Sequence, residues 1–215
     1  LNNYIKIWKE TLILSGFKNS TIVAVSVLIV GTFNSSLAAY AFAKLNIPHA
    51  NKLFLILLST IMLPFAVVMI PQFVFFTNIG WVDTLLPLII PGLFGNIGVI
   101  FFLKQFMSGI PNELFDAGRI DGCGPFGLFV RIMLPMAKPA IAVQVIMSFM
   151  GVWNDFLAPV IYINTPEKMT IQPIIATLNS YFVSGTDLAL IMTASLIALT
   201  PILIVFIIFQ KYFIG

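Results

Sequence analysis

Five stretches of the sequence are mostly apolar over 20 or more residues each, and that feature limits the fold more than any other. They cover about 21–43, 53–76, 85–106, 139–163 and 188–213. A helix needs about 20 such residues to cross a bilayer. The runs are continuously apolar, whereas strands of a membrane barrel would alternate over about ten residues. A helix also satisfies its own backbone, which lipid requires. Charged residues make up only 9% of the 215 positions, against roughly a quarter in soluble domains. The expected fold is therefore an all-α integral membrane protein. It is a polytopic helical bundle with five spans in a single transmembrane domain, residues 1–215.

Lysine and arginine set the orientation, because cytoplasmic loops carry the excess of both. If the spans alternate, Lys44, Lys52, Lys104, Arg119, Arg131, Lys138 and Lys211 fall on one side. Past the first span, the other side has only Lys168. Residues 108–138 and the carboxyl end are expected in the cytoplasm, and residues 1–20 and 164–187 outside. An outside stretch bearing Lys6, Lys9 and Lys18 without a signal-peptide pattern is awkward. One further span before Leu1 would resolve it, and is expected. The net charge of +3 is too small and scattered to suggest nucleic acid as a partner. The single Cys123 excludes an internal disulfide.

The spans are interrupted. The second carries Pro64 and Pro71, the third Pro87, Pro91, Gly92, Gly95 and Gly98. Any one of these is compatible with a kink that only serves packing; together they suggest helices that bend or move. In the first span Gly31, Ser35, Ala39 and Ala43 recur every four residues. They line one face with small side chains, suited to close approach inside the bundle or between subunits.

Between two of the most apolar runs lies "DAGRIDGCGPFGLFVRIMLP", residues 116–135. Asn112 is a plausible N-cap, and Glu113 and Asp116 suit the positive end of a first helical turn. Gly122 and Gly124 can stop this helix, and Pro125 can open a second. The result is a helix–turn–helix outside the bilayer. Phe115, Ile120, Phe126, Phe129 and Ile132 are apolar side chains beside charges. That face meets either another protein or the chain's own helix ends.

The spacing of this segment resembles the EAA loop of ATP-binding-cassette (ABC) importer permeases. That pattern is Glu-Ala-Ala, three residues, Gly, nine residues, then Ile-x-Leu-Pro. Here Asp116, Ala117 and Gly118 precede Gly122, Ile132, Leu134 and Pro135 at the same intervals. Asp116 stands for the usual Glu and Gly118 for the second Ala. "KNSTIVA", "SSLAAYAFAKL", "MLPFAVVMIPQF", "FFLKQFMSGIPNEL" and "GVWNDFLAPV" are similar to the carbohydrate branch, in the subunit type of the maltose importer's second permease. The resemblance implies six spans, with the extra one first, and a short continuation past the last helix.

The resemblance also implies a transport subunit rather than an enzyme, with no catalytic or metal residues. Its partners would be a second permease, expected to be a different chain, two ABC ATPase subunits and an extracytoplasmic solute-binding protein. ATP and Mg would sit on the ATPase, and this chain would bind no cofactor. The place implied is the bacterial or archaeal cytoplasmic (inner) membrane. The EAA loop would dock in the ATPase, with Glu113, Asp116, Ala117, Gly118, Arg119, Asp121 and Gly122 as its surface. Arg131 would pair within the loop or with lipid phosphate. Trp153, Asn154 and Asp155 are candidates for the solute pathway, because ionisable groups in a span are costly and usually functional. Asp155 also suits the cap of a helix broken near Pro159, the reading its place in the outer part of the span favours. By resemblance, the loop at 164–187 contacts the binding protein. A sugar is the expected cargo, with a polyol, glycerol phosphate or oligosaccharide as alternatives. An ion-coupled secondary transporter would need matched halves and several ionisable groups at mid-membrane. A non-transporting scaffold would not need the loop's spacing.

Overall fold

No proline interrupts residues 13–44, and they form one helix of 32 residues. The computed structural model describes residues 2–181 and 188–212. Among these, helix α1 covers Asn2–Glu10 and α2 covers Ile13–Lys44. At 1.5 Å per residue α2 is about 48 Å long, well over the ~30 Å hydrocarbon core. The expected first span is thus continuous with part of the stretch assigned to 1–20. Thr11 starts the helix by accepting from Ile13 N at 3.3 Å.

The second expected span is two helices, α3 (Ala50–Met62) and α4 (Phe65–Asn78), bent by 93°. Pro64 causes the break. It lacks a donor, and its ring pushes Leu63 into the extended region, at φ −79° and ψ 112°. Pro71 stays inside α4 without ending it. Helix α5 (Leu86–Ser108) is interrupted at Phe94–Asn96. The polar segment forms α6 (Glu113–Ile120) and α7 (Pro125–Met136). Helix α8 (Lys138–Trp153) leaves α7 at 78°, and a short α9 (Leu157–Tyr162) completes the fourth crossing. The segment assigned to an outer loop is itself partly helical, as α10 (Ile171–Tyr181); residues 182–187 of it lie outside the described residues. Helix α11 (Leu188–Phe209) is the fifth span, and the last residue expected for that span, Phe213, also lies outside them.

Contacts between connections show which ends share a side. Lys44, at the end of α2, donates to Ile110 O and to Asn112 Oδ1. Away from that side, Asn19 Nδ2 donates to Glu167 O and Met169 O, and Asp83 binds Thr165 and Lys168. The two sides alternate along the chain, so α3 with α4 and α8 with α9 each count as one candidate crossing, which gives five candidate spans among the described residues. Residues 2–20 share a side with 164–181, opposite the polar segment, and Leu1 lies outside the described residues.

The small-residue stripe packs inside the bundle. A Cβ on Gly31 would collide with Gly92 O, so α2 and α5 meet backbone to backbone. Here α2 widens into a π-helical turn, Val27–Gly31. Ala39 continues the stripe into a core with Leu103, Met107, Phe115 and Phe129. A second core, on the opposite side, gathers Ile13, Trp153, Ile171 and Leu190.

Candidate functional site

Helix α6 starts at Asn112, but the Asn112 side chain does not cap it. The Lys44 ammonium takes that side-chain oxygen at 2.7 Å, and a charged donor outcompetes a backbone amide. The Asn112 carbonyl accepts from Phe115 N and Asp116 N instead. At the other end Gly122 adopts φ +80°. Gly122 N donates to Arg119 O and Cys123 N to Gly118 O, a Schellman closure that favours glycine. Gly124 is extended and leads into Pro125 at the start of α7.

The apolar residues of this segment divide. Phe115 and Phe129 are buried in the chain's own core, and Ile132 is half-buried. Ile120 and Phe126 are 87% and 61% exposed at the tip. Glu113, Asp116, Ala117, Arg119, Asp121 and Gly122 are exposed around them. Gly118 is not part of that surface. It is buried, and a Cβ there would lie 2.6 Å from Leu128 Cδ2 and 2.8 Å from Ile132 Cδ1. Its missing side chain lets α6 and α7 close on each other. Arg119 pairs with Asp116 at 2.7 Å in the open. Arg131 Nη1 points to Cys123 Sγ at 4.0 Å, within the segment.

Two residues of α2 hold the segment to the bundle. Tyr40 Oη donates to Pro125 O at 3.1 Å, and its ring sits 5.4 Å from Phe129 and 6.2 Å from Phe115. Lys44 lies over the Phe115 ring at 5.3 Å. Sequence reasoning used Lys44 only for orientation and passed over Tyr40. Their spacing of four on one helix face was the available signal.

Trp153, Asn154 and Asp155 separate in the structure. Trp153 is enclosed in the core, with Nε1 donating to Ala198 O at 2.9 Å. Phe149 stacks on it at 5.3 Å and Phe17 meets it edge-on at 5.4 Å. It has no free face for a solute. Asn154 Oδ1 accepts from Gln172 Nε2 at 3.1 Å. Asp155 Oδ1 accepts from Ala158 N at 3.3 Å, the capping role at the start of α9. The three residues join α8, α9, α10 and α11; Trp153 is enclosed, while Asn154 is exposed and lines a small pocket with Gln172 and Ser195.

On that side Asp83, which sequence reasoning passed over, is a hub. Its carboxylate accepts from Asn164 N, Thr165 N, Thr165 Oγ1 and Lys168 Nζ at 2.7–3.0 Å. The Lys168 bond, followed by those from Thr165, holds the carboxyl well below the usual carboxylate range. Asp83 adopts φ +62°, a region that Asp visits more readily than most residues. An acidic residue near a glycine turn, in a chain with only eight carboxylates, was its signal.

A groove of about 710 Å³ opens on the bundle where α2, α5 and α8 meet. Val27, Pro91, Asn96, Gln144, Ser148 and Gly151 are among its lining residues. The break in α5 supplies one wall. Its backbone groups are satisfied from nearby: Asn34 Nδ2 donates to Leu93 O, and Asn96 N donates to Ser35 Oγ. Asn96 Oδ1 accepts from Gly98 N and Val99 N, capping the second half of α5. Irregular backbone at membrane depth is tolerated where protein buries it or where it lines a water-filled cavity.

Comparison with known proteins places the whole chain. The family model described as "Binding-protein-dependent transport system inner membrane component" matches residues 35–214. The arabinooligosaccharides transport system permease protein AraQ of Halalkalibacterium halodurans is 34% identical over 216 residues, covering 100% of this chain and 76% of that protein. The diacetylchitobiose uptake system permease protein NgcG of Streptomyces coelicolor is 31% identical, covering 99% of this chain and 71% of that protein. Among solved structures, a bacterial ABC transporter involved in import of the acidic polysaccharide alginate has a chain that superposes with a TM-score of 0.83 at 21% identity. That match covers 98% of this chain and 79% of the other.

Proposed function

The chain belongs to the family of binding-protein-dependent transport system inner membrane components, and from that premise we propose that it is the permease subunit through which an ABC importer passes a sugar. Subunits of this family are integral to the inner membrane and are not themselves enzymes; ATPase and binding-protein partners come with the family. The finer reading is that α6 and α7 lie in the cytoplasm and dock in a cleft of the ATPase. The carboxyl end shares that side, and residues 1–20 and 164–187 face the binding protein outside. The second permease is a different chain.

One observation carries the reading. The segment is stiff at its base and apolar at its tip. Tyr40, Lys44, Phe115 and Phe129 join it to the bundle, while Ile120 and Phe126 stand out among charges. A rigid element with an exposed apolar tip transmits a partner's two-state motion to the helices behind it. Glu113, Asp116, Ala117, Arg119, Asp121 and Gly122 form the rim that orients the partner; Gly118 keeps the pair closed. Sugar cargo is supported by the arabinooligosaccharide and diacetylchitobiose relatives. A polyol, glycerol phosphate or a longer oligosaccharide would use the same machine.

Purification of the assembled importer tests the reading. A cysteine at Ile120 in a Cys123→Ser background should crosslink to the ATPase subunit. Deletion of 112–122 should abolish ATPase co-purification while the permease stays in the membrane. Labelling of that cysteine by an impermeant thiol reagent from outside intact cells would refute it.

A further inference from the structure

Helix α1 is nine residues long and two-sided. At about 100° per residue, Ile7, Tyr4, Trp8 and Ile5 follow one another around one side, and Lys9, Lys6 and Asn3 lie on the other. Ile7 is fully buried and belongs to the second core, with Ile13 and Leu190. Helix α1 thereby rests on the outer ends of α2 and α11. The rest of its apolar side is open: Tyr4, Ile5 and Trp8 are 41–57% exposed. The other helix on this side of the bundle, α10, shows the contrast. The described side chains it leaves exposed are Ala176 and Thr177, and its Ile171, Ile174 and Leu178 are buried.

Two longer helices fix the depth of that open face. In α2 no charged residue stands between Lys18 and Lys44, a run of about 39 Å at 1.5 Å per residue. A bilayer with its headgroups measures about 40–45 Å, so Lys18 falls at the outer headgroups. Helix α11, with 22 residues, is about 33 Å long, close to the hydrocarbon core alone. Leu190 is in its first turn, and Ile7 shares a core with it, so α1 lies where hydrocarbon meets headgroups. Leu14 on α2, and Leu188 and Met192 on α11, are exposed at these outer ends too. Tryptophan and tyrosine collect at this level, because each has an apolar ring and a polar edge. A lysine at the flank lays its stem on apolar surface and extends its ammonium to phosphate. Lys9 is exposed and follows Ile5 around the helix.

Resting on the reading that puts residues 1–20 outside, we propose that α1 is an interfacial anchor: Tyr4, Ile5 and Trp8 sit in the outer leaflet, at the boundary of acyl chains and headgroups, and Lys9 meets the phosphates. The open face is covered by phospholipid and not by a protein. The anchor holds the outer ends of α2 and α11 at a fixed depth while the cytoplasmic segment follows the ATPase.

Spin labels test this in the full importer, otherwise free of cysteine and reconstituted in vesicles of phosphatidylethanolamine and phosphatidylglycerol. Single cysteines replace Ile5, Trp8 or Lys9 in the Cys123→Ser chain. Oxygen dissolves in lipid and a nickel chelate stays in water, so collisions with each report depth. Labels at Ile5 and Trp8 should give an oxygen-to-nickel ratio several-fold above that at Lys9, unchanged by added binding protein. Equal ratios at the three positions, with free access of nickel, overturn the proposal, because the face is then in water. Labels shielded from both reagents, with or without the binding protein, also overturn it, because a protein then covers the face. Brominated lipid gives a second reading with the face intact. Quenching of Trp8 fluorescence, taken as the difference between the parent and Trp8→Phe importers, should be strongest for bromines near the headgroup end of the acyl chain. Absence of quenching by any bromolipid overturns the proposal. Ascorbate added outside right-side-out vesicles tests the side separately. A Lys9 label protected from it refutes the orientation reading, while the oxygen-to-nickel ratio still decides whether α1 lies in an interface.

Discussion

Tyr40 of the first span donates a hydrogen bond to the Pro125 carbonyl across 85 residues of chain. The same ring is buried beside Phe129 and Phe115, so the polar segment is fastened to the membrane helix at its root. Tyr40→Phe removes only the hydroxyl. It should cost about 1 kcal/mol of stability and keep the ring contacts. Uptake per ATP hydrolysed should fall while the complex still assembles. Equal stoichiometry in the variant and the parent would show that the bond has no part in coupling.

Ile120 and Phe126 make the opposite case, since neither is part of the chain's own core. Ile120→Asp should leave thermal stability within about 0.5 kcal/mol, as exposed substitutions generally do. Retention of the ATPase during purification should drop sharply. An unchanged subunit ratio would place the docking energy elsewhere.

The two glycines of α6 and its turn should behave differently. Gly118→Val forces methyl groups against Leu128 and Ile132, and overpacking of this kind costs about 1–3 kcal/mol. Gly122→Asp meets nothing within 4 Å in this chain and bears only the left-handed backbone, roughly 1–2 kcal/mol. Limited proteolysis should therefore open the segment in Gly118→Val more than in Gly122→Asp, while both lose coupled transport. Full transport in Gly122→Asp would remove Gly122 from the docking rim.

Asp83 predicts a pH response on the other side of the membrane. Its carboxyl is depressed in the folded chain, so its contribution is fully present above the unfolded value of about 3.9. It is lost only as pH falls through the lower folded value. Hydrogen exchange at Asn164 and Thr165 should be equally protected from pH 8 to about 5, once corrected for intrinsic rates, and should lose protection only in stronger acid. Asp83→Asn should expose these amides at neutral pH. A protection loss centred near pH 6 would assign the control to another group.

The sequence made the span runs and the helix–turn–helix legible because both follow from local rules: apolar length, glycine at a left-handed position, proline at a helix start. Relations between distant residues were not legible. The right angle at Pro64 could be read as a kink but not measured. Gly118 carried the motif's spacing, yet only the packing of Leu128 and Ile132 shows that it faces inward. Asn96, Gln144 and Ser148 are uncharged, so nothing flagged them as costly in lipid until the broken α5 brought them onto one groove. Asp155 drew attention through its charge and turned out to cap α9.

Trp153 supplies the last test, because its surroundings oppose a role in solute contact. Its indole donates to Ala198 O and stacks on Phe149, tying α8 to α11. Trp153→Phe keeps an aromatic ring but deletes the donor and leaves a small void. The expected cost is roughly 1–3 kcal/mol, the sum of one buried hydrogen bond and partial loss of packing. It should appear as a lower melting temperature of the purified complex. The half-saturating sugar concentration should stay as it was, because the ring has no face toward the groove. A selective rise in that concentration at unchanged melting temperature would return Trp153 to the solute path.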